Sequence, residues 1–314
     1  MKKILFAAAM AALMSTSAMA GTKIGVSMAL FDDNFLTVLR NGIDKQAKDL
    51  GVEVQIEDAK NDVAKQLDQI KNFAASGVQA IIVNPVDTSA TQAMTDAAAA
   101  AKIPLVYVNR QPINVDTLPD GQAFVASNEV DSGTLETKEV CALLKAAGKS
   151  EANVYVMMGE LSNQAAVQRT KDIHDVIGGP DCGVKVNIID EQTANWSRDQ
   201  AQNLMNNWIS GGKAYDAVIA NNDEMAIGAI QAMKAAGVDM KTMIVGGVDA
   251  TQDALAAMAA GDLDVTVFQN AAGQGAGALD AAIKLSKGEA VEKKVYIPFE
   301  KVTPDNLANY QKKN

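Results

Sequence analysis

The residues best suited to chemistry sit in short polar phrases that mostly follow apolar, β-branched runs. In the first half these are Phe31 to Phe35, which includes Asp32, Asp33 and Asn34, then Asn84, and then Asn109-Arg110. In the second half they are Leu161 to Arg169, Ala194-Asn195-Trp196, Asn221-Asn222-Asp223, Asp249 and Gln269-Asn270. Together they offer carboxylates, amides and guanidinium groups, with an aromatic ring from each half. Such a set suits a polyol. A hydroxyl both donates and accepts, so planar Asp, Asn, Gln and Arg side chains engage adjacent hydroxyls in pairs. Aromatic rings such as Phe35 and Trp196 cover the apolar C–H faces. A buried polar group left unpaired by the wrong stereoisomer costs about 1–3 kcal/mol, which makes the site selective.

Other chemistries are less well supplied. Cys141, Cys182 and the lone His174 cannot fill a four-ligand zinc site, so no metal is expected. His174 falls in an expected helix, Gln164 to Ile177, as a surface or boundary residue. Gly273-Gln274-Gly275-Ala276-Gly277-Ala278 mimics a dinucleotide fingerprint. No full βαβ unit with a ribose-binding acid follows it, so small residues packing a helix closely are the better account, and no cofactor is expected. Paired carboxylates such as Asp32 and Asp249 would in principle allow acid–base work on a glycoside, which stands as the enzymatic alternative. Several candidates also have structural readings: Ser197 and Gln200 form a capping box after Trp196, Asp249 with Gln252 reads as a helix cap, and Asn222 and Asp223 precede a helix starting near Glu224. Trp208, four residues after Leu204, reads as core.

The elements that must position these phrases alternate short strands with longer helical segments, the pattern of a parallel sheet covered by helices. Strands are expected at Lys23 to Met28, Val52 to Glu57, Ala80 to Val83 and Leu105 to Val108. Leu36, Leu39, Ile43, Ala47 and Leu50 fall at helical spacing, with Gly51 as the cap. The same order recurs in Val154 to Met158, Val184 to Ile189, Ala217 to Ala220 and Met243 to Val248, with a further strand at Val265 to Phe268. A repeated α/β architecture implies two similar domains, and ligands of open parallel sheets bind at the carboxyl ends of the strands.

The N-terminus reads as a secretory signal: Lys2 and Lys3, an apolar stretch from Ile4 to Leu13, and Ala18-Met19-Ala20 before Gly21. Removing residues 1–20 takes the formal net charge from −10 to −12 and leaves a soluble, exported protein. An acidic surface without a clustered basic footprint argues against nucleic acid. In an oxidising compartment Cys141 and Cys182 are candidates for a structural disulfide.

The phrases Val83-Asn84-Pro85-Val86-Asp87, Val108-Asn109-Arg110-Gln111, Asn221 to Gly228, Gly247-Val248-Asp249 and Val267-Phe268-Gln269 resemble those of the periplasmic sugar-binding proteins of ABC transporters, ribose-binding type. The resemblance covers the whole mature chain. It implies a periplasmic binding protein of type I, with two Rossmann-like lobes joined by a three-crossover hinge that closes on the ligand. The lobes would be residues 21–126 plus 270–296 and residues 127–269 plus 297–314, with crossovers near Ser127, Asn270 and Ile297.

Carried over by position, the resemblance implies that Phe35 and Trp196 stack on the sugar ring. It places Arg110, Asn222, Asp249 and Gln269 at hydroxyls and Asn84 at the cleft edge. Asn109 replaces the usual Asp, Val167 replaces the first of two Args and leaves Arg169, and Asp32-Asp33 stands where the ribose type tends to have Asn. These departures, with Thr193-Ala194-Asn195-Trp196-Ser197-Arg198, resemble the inositol- and rhizopine-binding branch. The implied ligand is a cyclitol, myo-inositol or an amino-inositol whose ammonium a carboxylate would pair with; an aldose such as ribose, allose or galactose is the alternative. The implied partner is the membrane permease of an ABC transporter, a chemoreceptor being a further candidate, and the receptor is expected to be a monomer that performs no catalysis. A transcriptional repressor of the same architecture would need a helix-turn-helix where this chain has a signal.

Overall fold

The computed structural model describes residues 21–313; the signal expected over 1–20 lies outside them. The first apolar run forms strand β1 (Lys23–Met28), buried along almost its whole length because it is flanked on both sides. It pairs in parallel with β2 (Glu53–Asp58) and β3 (Ala80–Val83). With β4 (Leu105–Val108), β5 (Gln122–Ala126) and β11 (Lys294–Tyr296) they make a six-stranded parallel sheet in the order β11-β5-β4-β3-β1-β2.

Helix α1 (Asn34–Leu50) begins because Asp33 Oδ1 accepts from Leu36 N at 2.7 Å and ends at Gly51 in the left-handed conformation, φ 67°. Its apolar face, Leu36, Leu39, Ile43 and Ala47, is the periodicity read from the sequence. Against it lies α9 (Ala271–Ser286), which holds the glycine-rich phrase. A Cβ on Gly275 would come 2.3 Å from Leu39 O, and one on Gly42 would come 2.6 Å from Ala272 O. Close helix packing therefore accounts for these glycines. Helices α2 (Val63–Ser76) and α3 (Thr91–Ala100) complete this lobe.

The second sheet is β7-β6-β8-β9, formed by β6 (Glu151–Met158), β7 (Lys185–Thr193), β8 (Ala217–Ala220) and β9 (Ile244–Gly246), all parallel. The packed pairs α4 (Glu129–Ala146) with α5 (Gln164–Gly178), and α6 (Arg198–Ser210) with α7 (Asp223–Ala235), flank it. Helix α8 (Gln252–Ala260) is capped by Thr251, whose Oγ1 accepts from Ala254 N. Asp249 is therefore not the cap it resembled. Trp208 is buried and stacks on Tyr155 at 4.3 Å between ring centroids, while His174 is exposed beside Glu191. Cys141 on α4 and Cys182, before β7, form a disulfide.

The second lobe departs from a plain repeat at its edge. Strand β10 (Thr266–Phe268) joins β9 only through isolated bridges and pairs antiparallel with β12 (Glu300–Val302), from the C-terminal tail. The chain thus passes between lobes three times: from β5 to α4, from β10 to α9, and from β11 to β12.

The α1–α9 contact yields a direct expectation. Gly275→Ala forces backbone apart and should lower stability by about 1–3 kcal/mol, whereas Gly178→Ala, with open space around it, should be neutral or stabilising; thermal unfolding of the two variants checks this.

Candidate functional site

The loops at the carboxyl ends of both sheets' strands line a common cavity between the lobes, where ligands of open parallel sheets bind. The first lobe contributes Asp33, Phe35 and Leu36 from the β1–α1 junction, and Asn109 and Arg110 from the end of β4. The second contributes Glu129 at the start of α4, Asn163, Ala165 and Arg169 around α5, Trp196 after β7, Asn222 after β8, Asp249 after β9 and Gln269 after β10. A wider vestibule shares Asp33, Arg110 and Trp196 and adds Asp32, Glu160, Arg198 and Glu224.

Two sequence candidates fall elsewhere. Asp32 is exposed and lines the vestibule rather than the cavity. Asn84 is fully buried behind the wall: its Oδ1 accepts from Ala29 N, and its Nδ2 donates to Val108 O and Asn109 Oδ1. It braces β1 against β4, and through Asn109 it reaches the cavity only indirectly. Asn109 in turn donates to Gln274 Oε1.

Three wall residues hold backbone angles that L-residues rarely adopt: Asn109 (φ 66°), Trp196 (φ 62°) and Asp249 (φ 128°). Such strain persists only where the surroundings over-determine it and is concentrated at functional sites. The Trp196 indole lies over Gly159, where a Cβ would come 2.2 Å from the ring. Ser197 caps α6 through Gln200 N, but the Gln200 side chain bonds Asn195 instead of closing the box. Asn222 serves two ends: Oδ1 caps α7 at Met225 N, 3.0 Å, while the residue also lines the cavity.

At the centre is Arg169, 4 % exposed. It binds Glu129 as a fork, Nε to Oε2 at 2.7 Å and Nη2 to Oε1 at 3.1 Å. Its Nη1 donates to Asn221 O at 2.7 Å and its Nη2 to Gln269 Oε1 at 3.3 Å. The guanidinium also stands 5.6 Å from the Trp196 ring centroid. Across the cleft Arg110 donates to Pro85 O at 3.0 Å and faces Glu160 at 3.8 Å. The wall thus holds three carboxylates (Asp33, Glu129, Asp249) and two guanidinium groups.

Burial sets the proton affinities. It raises Asp33, against the lowering by Leu36 N–H and Arg110, and it raises Asp249 well above the usual range, against Arg169. Burial also lowers Arg110, opposed by Glu160 and Asp33. Behind the wall Glu136 is raised well above its ordinary value by burial, while Asp172 and Asp223 are pushed up to about 7 for the same first reason.

Of the lining residues, Leu36 and Glu129 fall outside the polar phrases of the sequence, and Asn163 and Ala165 lie inside the phrase Leu161 to Arg169 without standing out in it. Glu129 reads in sequence as an ordinary acid in a first helical turn, where the helix dipole already favours it; Asn163 reads as an ordinary cap, and the other two as core. No metal-binding cluster of His, Cys, Asp or Glu occurs among the described residues.

A sequence profile of the periplasmic binding protein domain matches residues 24–290. The chain is 65% identical over 315 residues to a Rhizobium meliloti protein named "Putative rhizopine-binding protein", covering all of both chains. Among solved structures it is similar to an ABC transporter solute-binding protein from Bacillus halodurans with bound myo-inositol. That match has 40% identity and a TM-score of 0.86, covering 94% of this chain and 99% of the other. It is also similar to the Caulobacter myo-inositol binding protein bound to myo-inositol, at 29% identity and TM-score 0.81, covering 92% and 95%.

Two outcomes are expected from the charges. Arg169→Met strands the buried Glu129 and should cost about 3–5 kcal/mol, while Arg169→Met with Glu129→Leu should recover much of that loss; denaturant unfolding of the single and double variants measures it. The raised Asp172 and Asp223 mean that the folded chain holds protons the unfolded chain has released, so stability should fall as pH rises from about 4 to about 7. Melting temperature against pH tests this, and Asp172→Asn should flatten the curve.

Proposed function

The chain belongs to the periplasmic binding protein family, and on that premise we propose that it captures a cyclitol, myo-inositol or a related amino-inositol, between its two lobes. It then hands the solute, chemically unchanged, to the membrane permease of an ABC importer. The observation that carries this reading is the cavity whose carboxylates, amides and guanidinium groups come from both lobes, together with the rings of Phe35 and Trp196. Such a wall pays its desolvation cost only against a solute bearing hydroxyls all round. The 40% identical relative holds myo-inositol and the 65% identical relative carries a rhizopine-binding name, so the same class of ligand is assigned to this chain.

In this reading Phe35 and Trp196 cover the two faces of the ring, and Arg110, Arg169, Asn109, Asn222, Asp249 and Gln269 take its hydroxyls. Asp33 rather than Asp32 is the carboxylate placed to meet an ammonium group. The lobes move about the crossings near Ser127, Asn270 and Ile297, and the protein works in the periplasm.

A thermal-shift screen on refolded, ligand-stripped protein tests the assignment. At 100 times its dissociation constant a ligand adds about 2.7 kcal/mol, so myo-inositol or an amino-inositol should raise the melting temperature clearly and ribose should not. Trp196→Ala should weaken cyclitol binding about tenfold or more. A shift with ribose or galactose alone would replace the cyclitol by an aldose.

A further inference from the structure

Asn163 occupies the cap position of α5, with extended backbone (φ −108°, ψ 126°), yet its side chain does not cap the helix. A cap asparagine ordinarily accepts from the second or third N–H of its helix. Here Nδ2 donates to Glu160 Oε2 at 3.0 Å and to Ser162 Oγ at 3.2 Å. The Glu160 carboxylate only accepts, so it fixes which end of the amide is nitrogen. Oδ1 is therefore turned the other way. It is buried, and no protein donor reaches it. The residue is 1 % exposed and forms part of the cavity wall.

The end of α5 is served instead from the opposite lobe. Thr88 Oγ1 accepts from Gln164 N at 3.1 Å, and Thr88 N and Oγ1 both donate to Ser162 O at 3.0 Å. The first turn of α5 is thus held by a residue of the other lobe, and Asn163 is not needed as a cap. A buried carbonyl oxygen without a donor costs about 1–3 kcal/mol, a cost that a donor inside the cavity removes.

We propose that Asn163 is a specificity-determining residue of the cleft, with Oδ1 accepting a hydrogen bond from a hydroxyl or ammonium group of the bound cyclitol. This assignment rests on the solute-binding reading above. It adds a contact from the α5 end of the second lobe, where Arg169 supplies only donors.

The test is calorimetric titration of ligand-stripped wild type, Asn163→Ala and Asn163→Ser with myo-inositol, an amino-inositol and ribose, together with ligand-free melting temperatures. Serine is as good a cap as asparagine but too short to reach the solute. Both variants should bind the preferred solute about five- to thirtyfold more weakly, with ligand-free melting temperatures close to that of wild type. Wild-type affinity in either variant overturns the proposal. So does a loss that follows the melting temperature and is restored by serine, which would make Asn163 a cap. If wild type binds none of the three solutes, the solute-binding reading itself falls and the Asn163 contact falls with it; if wild type binds and the variants match it, only the Asn163 contact falls.

Discussion

The buried guanidinium of Arg169 is the constraint on which the second lobe's half of the cleft depends. A charge this far from water must be neutralised and its N–H groups satisfied, and the partners come from separate elements. Glu129 begins α4, Asn221 follows β8 and Gln269 follows β10. Glu129 begins α4, which follows β5 of the other lobe's sheet, so the ion pair ties the first passage between lobes to the cavity wall. Glu129 Oε2 also accepts from Ser132 Oγ at 2.9 Å, a further bond on the carboxylate. The wall on this side is held by bonds within the protein itself, and rigidity of that kind lowers the ordering cost of binding.

Between the lobes lie contacts that neither contains alone. Asn34 donates to Glu224 Oε1 at 2.8 Å, and Glu224 is itself held by the Arg198 fork at 2.8 and 2.9 Å. On the other side Thr88 meets Ser162 and Gln164, and Arg110 faces Glu160. These contacts are polar, and each is worth only about 0.5–1.5 kcal/mol net, little enough for a solute bound between the lobes to outweigh them.

Much of this was legible in sequence because strands in a parallel sheet announce themselves as β-branched runs, and the residue after each run then stands at the carboxyl edge. Asn109, Arg110, Asn222, Asp249 and Gln269 were found that way and line the cavity. The same rule misplaced Asn84, whose strand β3 lies next to the centre of its sheet, where a short amide is more useful bracing neighbouring loops than reaching outward. It could not separate Asp32 from Asp33, because only the helix start decides which carboxylate turns inward: Asp33 is the cap of α1. Glu129 and Asn163 look in sequence like ordinary helix starts, and what distinguishes them is a partner far away in the chain, Arg169 for one and Thr88's service to α5 for the other. The antiparallel β10–β12 pair was hidden for a related reason, since β12 belongs to the tail after the third crossing.

The measurement that bears most directly on the central claim is a crystal structure of the protein refolded without solute and then saturated with myo-inositol. One molecule is expected inside the cavity, its ring between Phe35 and Trp196, its hydroxyls on Arg110, Arg169 and Asp249, and the Arg169–Glu129 fork unchanged. A solute bound outside the cleft, or lobes standing open with solute present, would contradict it.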